Sequence, residues 1–245
     1  MAAFAYQDSP YAMRADVSEA HRYAWQQIAA PGTWLTGHVR VAIAAEMRAA
    51  QQCQFCALRK TALSPLAPLA GEHTCVTDLP ASMIDVVHRL TTDPARLTQT
   101  WLAQVVDDDF TYGHYVELLS VVVATLSIDS MHQALGLALE ALPEPQSGSP
   151  TEHVPHNLEH ETAWVPMIST PAPPDDDLWQ GGTANVLRAM SLVPDAVRLL
   201  KVLSSAHYLE MADVANPAAA GGRAISRAQI ELLAGRVSAI NDCFY

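Results

Sequence analysis

Two cysteines in the stretch Cys53-Gln54-Phe55-Cys56 are the plainest candidates for chemistry in this sequence. We place them in the C-terminal part of a helical segment, where residues three apart lie on one face and one thiol can hydrogen-bond to the thiolate of the other. Three interpretations are open at this stage. The cysteines form a redox-active pair, supply two ligands of a zinc ion, or pack in a core.

A zinc site would need further ligands, and His73 and Cys75 are the nearest ones along the chain. Their His-x-Cys spacing is tighter than the spacing usual for zinc ligands, so we expect no bound metal. Other histidines are weaker candidates. Those of segment 153–161 accompany Glu159 in a proline-rich stretch that favours a solvated loop: His153, His156 and His160. Four more stand alone within helical patterns and are interpreted as core-edge or surface residues: His88, His114, His132 and His207.

A second thiol lies near the C-terminal end of the sequence. Glu231 precedes Cys243 by twelve residues, which would place both on nearly the same face of a continuous helix. A carboxylate near a thiol can relay the proton that peroxide chemistry requires. The alternative is a solvated Glu231 that pairs with Arg236, beside a cysteine that packs as a small apolar residue.

The elements that position these groups are predicted to be helices. Apolar residues recur at spacings of three and four in seven segments: 16–30, 36–62, 80–92, 94–106, 112–137, 184–209 and 226–245. Alternating strand patterns are hard to find. We therefore expect an all-α fold.

A proline-rich connector divides the chain. Eight of the sixteen prolines lie between 142 and 174, a composition that sustains neither helix nor sheet. Aligning Cys53 with Cys243 keeps the apolar phase before each cysteine, which indicates an internal duplication. We expect a first helical repeat over 1–141, a connector over 142–174 and an incomplete second repeat over 175–245.

Composition narrows the function classes. The 245 residues carry 14 basic and 26 acidic side chains and a net charge of −12, so a nucleic-acid or anionic-membrane role is not expected. The apolar run 116–128 is too short for a membrane span, and the N-terminus lacks the pattern of an export signal, which makes the cytoplasm the expected location. No nucleotide-binding motif is present, and we expect no cofactor.

The C-terminal residues resemble a known family. The stretch "IELLAGRVSAINDCFY" is similar to the motif of the AhpD-like alkylhydroperoxidase and carboxymuconolactone decarboxylase superfamily, with Glu231, Arg236, Asn241, Cys243 and Tyr245 among the matching residues. Further segments resemble its two-repeat, peroxidase-related branch: "VVHRLTTDPARLTQTWL", "YVELLSVVVATLSIDSMHQALGL", "AWVPMI" and "NVLRAMSLVP".

The resemblance implies an all-helical homo-oligomer that reduces peroxides with electrons from a thiol donor or a redox partner protein. It assigns Glu231 as the acid that relays protons and Cys243 as the resolving thiol. The peroxide-attacking residue would stand at position 246 and a relay histidine at 250. Because some relatives carry selenocysteine after C-x-Y, we expect a UGA codon to follow that of Tyr245 and the present chain to be weakly active or inactive.

The first repeat departs from the family pattern. Cys53 and Cys56 are kept, but Val41 stands where the glutamate is expected and Lys60 where the histidine is expected. No relay of the family's kind is therefore expected there, although Lys60, one turn after Cys56, could favour a thiolate. The alternatives to a peroxidase are a decarboxylase-like relative without thiol chemistry and a non-catalytic helical oligomer in which the cysteines only pack.

Overall fold

The computed structural model describes residues 3–160, 163–169, 177–179, 184–241 and 243. Within these ranges the chain is built from helices, which confirms the predicted all-α class. The helices of the first part are α1 (Ala15–Ala29), α2 (Gly37–Ala50), α3 (Gln54–Lys60), α4 (Ala81–Thr92), α5 (Gln99–Val105) and α6 (Tyr112–Ala134). Those of the second part are α7 (Asn185–Arg188), α8 (Pro194–His207), α9 (Met211–Val214) and α10 (Arg227–Ile240).

Helix α6 forms the centre of the packing. Many of its apolar side chains, among them Leu118, Val121 and Ile128, are fully buried, and it contacts α2, α4 and α8. By length and composition alone it could cross a membrane, but 61% of its most apolar window is buried inside the protein, as in the core helix of a globular fold. Its start is fixed by a capping box in which Thr111 and His114 exchange hydrogen bonds.

The predicted connector forms more regular structure than its composition suggested. Residues Leu158–Glu159 (β1) and Met167–Ile168 (β2) pair as a short antiparallel ladder, so the prediction that this stretch holds no sheet was wrong for four residues. Upstream, the backbone N–H groups of Gln146 and Glu152 donate to the carbonyls of Ala29 and Thr33, each at 2.8 Å. The connector thus lies along the turn between α1 and α2.

Helix α8 packs against α1 and α6, and its last residue, the exposed His207, contacts the buried His21. His21 Nε2 lies 2.6 Å from His207 Nε2, and the hydroxyl of Tyr6 bonds to the other nitrogen of His21. The ring of His132 stacks beside His21 with centroids 6.4 Å apart. Burial, with these two histidines adding to it, lowers the pKa of His21 to about 3, so its imidazole is neutral at physiological pH.

Candidate active site

The Cys53–Cys56 motif begins a helix of its own. The predicted helix 36–62 is interrupted after Ala50, because Cys53 adopts an extended backbone (φ −73°, ψ 119°) and becomes the N-cap of α3. The apolar phase predicted that the motif lies in the C-terminal part of a long helix, and this prediction was wrong, because the motif lies at the start of α3. Both cysteines are buried, with 3% and 2% of their surface exposed.

A histidine and a carboxylate from two other helices stand behind Cys56. Its Sγ atom lies 3.2 Å from Nδ1 of His88 on α4. Nε2 of the same ring lies 3.0 Å from Oε1 of Glu46 on α2, and neither side chain is exposed. Thr77 donates to the second oxygen of Glu46 at 2.7 Å. Because a carboxylate only accepts, His88 carries a proton on Nε2 and turns Nδ1 toward the sulfur.

A second histidine faces both sulfur atoms from the loop between α3 and α4. Nδ1 of His73 lies 3.7 Å from Sγ of Cys53 and 3.6 Å from Sγ of Cys56. Its Nε2 lies 3.1 Å from Oδ1 of Asp85, which also pairs with the guanidinium groups of Arg59 and Arg89. Each histidine therefore has one nitrogen on a carboxylate and the other toward the thiols.

The arrangement shifts the protonation of the thiols and imidazoles. Burial alone would raise the pKa of the Cys56 thiol, but hydrogen bonds from His73 and His88 lower it to about 5. Burial opposes a thiolate at Cys53 too, and backbone N–H groups of Cys56 and Thr74 nevertheless lower its pKa. The pKa of His73 rises to about 10 despite burial, because Asp85 and the two sulfurs stabilise its imidazolium. The site therefore favours a Cys56 thiolate beside a protonated His73 imidazole.

Cys75 and Lys60, which sequence reasoning placed near the motif, do not join it. The Cys75 thiol is exposed and donates to the carbonyl of His73 at 3.4 Å. Lys60 is exposed at the end of α3. Of the two further residues considered for a zinc site, His73 faces the thiols and Cys75 does not. The interpretation of His88 as a core-edge or surface residue was wrong, because its ring is fully buried and contacts Cys56.

In the histidine-rich segment 153–161, Glu159 and His160 each contact a residue outside the segment. Glu159 pairs with Arg188, and the ring of His160 packs against Tyr112 with centroids 5.6 Å apart. His153 and His156 are exposed. Across the described ranges, the residues whose donor atoms converge as for a metal ion are Cys53, Cys56, His73 and His88.

Glu231 and Cys243 lie in the C-terminal part of the described chain. Helix α10 ends at Ile240, so the continuous helix assumed for aligning Glu231 with Cys243 is not present. Glu231 accepts from the hydroxyl of Tyr208 at 2.6 Å and from Arg227 at 2.5 Å, and not from Arg236 as the alternative proposed. The Cys243 thiol is exposed.

Sequence reasoning missed Glu46, Asp85 and His88, although a signal was available. Glu46 lies three residues after Ile43 and four before Ala50, on the buried face of α2. Asp85 and His88 are likewise three apart within the apolar pattern of α4. Ionisable residues in phase with a buried face require partners, and that requirement points to a site.

No family model, no curated protein and no solved structure matches this chain. The AhpD-like resemblance therefore rests on the sequence motifs, and the function is argued from the geometry around Cys56.

Proposed function

We propose that the chain is a thiol oxidoreductase that reduces peroxides, with Cys56 as the attacking thiol and Cys53 as the resolving thiol. The observation that carries this proposal is the row formed by Cys56 Sγ, His88 and Glu46, with contacts of 3.2 and 3.0 Å. A nucleophile in contact with a base that a third group orients is the arrangement expected of activated nucleophiles. A second thiol stands beside it, since the sulfur atoms of Cys53 and Cys56 lie within 4.8 Å of each other.

The chemistry proceeds in two steps. The Cys56 thiolate attacks one oxygen of the peroxide, an S–O bond forms as the O–O bond breaks, and the departing alkoxide takes a proton from His88. Glu46 stabilises the imidazolium until the proton leaves. The Cys53 thiolate then attacks the sulfur of the Cys56 sulfenic acid, a disulfide forms, and hydroxide leaves as water with a proton from His73. A thiol reductant supplies two electrons to restore both thiols and is itself oxidised to a disulfide.

Two features of the site support this assignment over packed cysteines. Cysteines that only fill a core lie among apolar side chains, whereas Cys56 contacts two imidazoles that are each bonded to a carboxylate. The acid and the imidazole missing at Val41 and Lys60 have counterparts in Glu46 and His88: His88 contacts the sulfur from α4, and Glu46 on α2 contacts His88.

The AhpD-like fold with repeats 1–141 and 175–245 belongs to the same proposal, with Cys243 as a resolving thiol and Glu231 as a proton-relaying acid in the second repeat. The motif around Cys243 supports this assignment. A cytoplasmic homo-oligomer is part of it as well. Helix α10 supports self-association because four large apolar side chains are each more than half exposed: Leu232, Leu233, Val237 and Ile240.

Peroxide consumption by the chelator-treated chain, with dithiothreitol as reductant, tests the function. We expect turnover of an alkyl hydroperoxide by the wild type and its loss in Cys56→Ser. Cys75→Ser is the matched control, because that thiol is exposed, lies close in sequence and should leave the rate unchanged. Equal rates in Cys56→Ser and the wild type would refute the assignment, and a loss confined to Cys243→Ser would transfer the function to the C-terminal thiol.

A further inference from the structure

We infer that Cys53, Cys56, His73 and His88 bind one zinc ion, with two sulfur and two nitrogen ligands. All four donor atoms lie within 4.8 Å of one another. For Zn–S bonds of about 2.3 Å and Zn–N bonds of about 2.0–2.1 Å, a tetrahedral site places sulfur and nitrogen about 3.6 Å apart. The two separations from His73 Nδ1, 3.7 and 3.6 Å, match that value, and the contact of Cys56 with His88 is 3.2 Å.

The groups behind the histidines are those that metal-binding histidines require. Metal-bound imidazoles almost always donate their other N–H to a carboxylate, a carbonyl or water, which fixes the ring and its tautomer. Asp85 accepts a hydrogen bond from Nε2 of His73 at 3.1 Å, and Glu46 accepts one from Nε2 of His88 at 3.0 Å. Both rings thus present Nδ1 to the same point between the two sulfurs.

The surroundings suit a closed site of four protein ligands. Three of the ligands are buried and His73 is nearly so, which leaves the donors shielded from water. Two thiolates neutralise a divalent ion, and the negative charge of Asp85 behind His73 is compensated by Arg59 and Arg89. Two sulfur and two imidazole donors in tetrahedral arrangement select zinc over magnesium or calcium, which prefer oxygen.

The ligand spacing explains why the sequence did not reveal this site. Cys53 and Cys56 follow the usual C-x2-C spacing, but His73 and His88 come from a loop and from α4. Cys75 is nearer to the C-x2-C pair in the sequence than His88 is, but its thiol is exposed and does not face the site. The ligand set therefore depends on how α4 packs against α3 and α2.

Zinc binding would also regulate the thiols, and this second part rests on the proposed peroxide chemistry. A metal-bound thiolate shares the electron pair with which it would attack a peroxide. The zinc form would thus be a protected state, and removal of the metal would release Cys56 for reaction.

The experiment uses the full reduced chain, stripped with a chelator and reloaded with zinc or with cobalt as a spectroscopic substitute. We expect one zinc per chain by native mass spectrometry, and cobalt spectra with thiolate charge-transfer and tetrahedral d–d bands. Cys56→Ser and His73→Ala should lose the ion, whereas Cys75→Ser should keep it. Asp85→Asn, which retains all four ligands, should weaken binding about 10- to 100-fold.

Each outcome decides the inference. A folded, reduced wild-type chain that binds no zinc overturns it, as does stoichiometric zinc in a folded Cys56→Ser variant. Wild-type stoichiometry and the cobalt spectrum remain decisive if a variant fails to fold. If the stripped protein turns over peroxide but cannot bind zinc, the metal site is refuted and the peroxidase proposal stands. If the protein binds zinc but shows no peroxide turnover after stripping, the peroxidase proposal is refuted and the metal site stands.

Discussion

The sulfur of Cys56 lies 3.2 Å from Nδ1 of His88, although the two residues stand 32 positions apart in the sequence. Since Glu46 holds the opposite nitrogen of the ring, the contact joins α2, α3 and α4 in one row of polar groups inside an apolar core. Such a row is costly to bury unless every member is paired. Its members are therefore the first targets for substitution.

Substitution of His88 should affect the chemistry more than substitution of a nearby cation. In stripped protein we expect His88→Asn to lower kcat/KM for an alkyl hydroperoxide by about 100-fold or more, because the departing alkoxide loses its proton donor. Lys60→Met is the control, since this exposed side chain occupies the position where the family histidine is expected. A similar loss in both variants would argue against a specific role of His88.

Zinc should stabilise the fold only when its ligands are intact. A ligand that binds the native state alone at about 100 times its Kd stabilises that state by about 2.7 kcal/mol. We expect zinc to raise the Tm of the reduced, stripped wild type and to leave that of Cys56→Ser unchanged. Thermal unfolding followed by circular dichroism measures both, and an equal rise in the two proteins would indicate binding elsewhere.

The all-α class could be predicted from apolar periodicity, but the site only in part. Cys53 and Cys56 were visible as a motif, and their tertiary partners were not. Helix α2 ends at Ala50, and a turn at Gln51 and Gln52 separates it from the cysteines, a break that the continuous apolar phase of 36–62 does not show. His88 contacts Cys56 only because α4 packs against α3. The positions of the two residues in the sequence do not predict this contact.

The buried ion pair of Arg40 and Glu117 should matter for stability. Arg40 Nη1 lies 2.6 Å from the Glu117 carboxylate, with side chains only 7% and 2% exposed. Arg40→Met should lower the free energy of unfolding by about 3–5 kcal/mol, because it leaves a buried carboxylate without its cation. Arg198→Met removes two surface pairs, with Asp177 and Asp195, from an arginine side chain that is 39% exposed, and the loss of each should cost about 1 kcal/mol or less. Urea unfolding of both variants provides the comparison.

Acid should destabilise the fold through His21. Its pKa falls from 6.5 to about 3 on folding, so the unfolded chain binds the proton more readily between these values. The stability that the neutral ring contributes is complete above about pH 6.5 and is lost progressively as the pH falls toward 3. A protonated His21 would also place a positive charge 2.6 Å from the ring nitrogen of His207 and beside His132. Arg14 adds a further positive charge near His207.

His21→Gln should therefore reduce the loss of unfolding free energy between pH 7 and pH 5 relative to the wild type. His38→Gln removes an exposed histidine and should leave the wild-type pH dependence intact. Denaturant titrations at the two pH values give the difference. An unchanged slope in His21→Gln would show that other groups determine acid sensitivity.

Site-resolved mass spectrometry of the reduced, zinc-free chain after a single molar equivalent of alkyl hydroperoxide tests the assignment of Cys56 as the attacking thiol and Cys53 as the resolving thiol. We expect a disulfide between Cys53 and Cys56, with Cys75 and Cys243 still open to alkylation. In Cys53→Ser we expect a Cys56 sulfenic acid that dimedone traps. Oxidation confined to Cys75 or Cys243, with Cys53 and Cys56 recovered as thiols, would contradict this assignment.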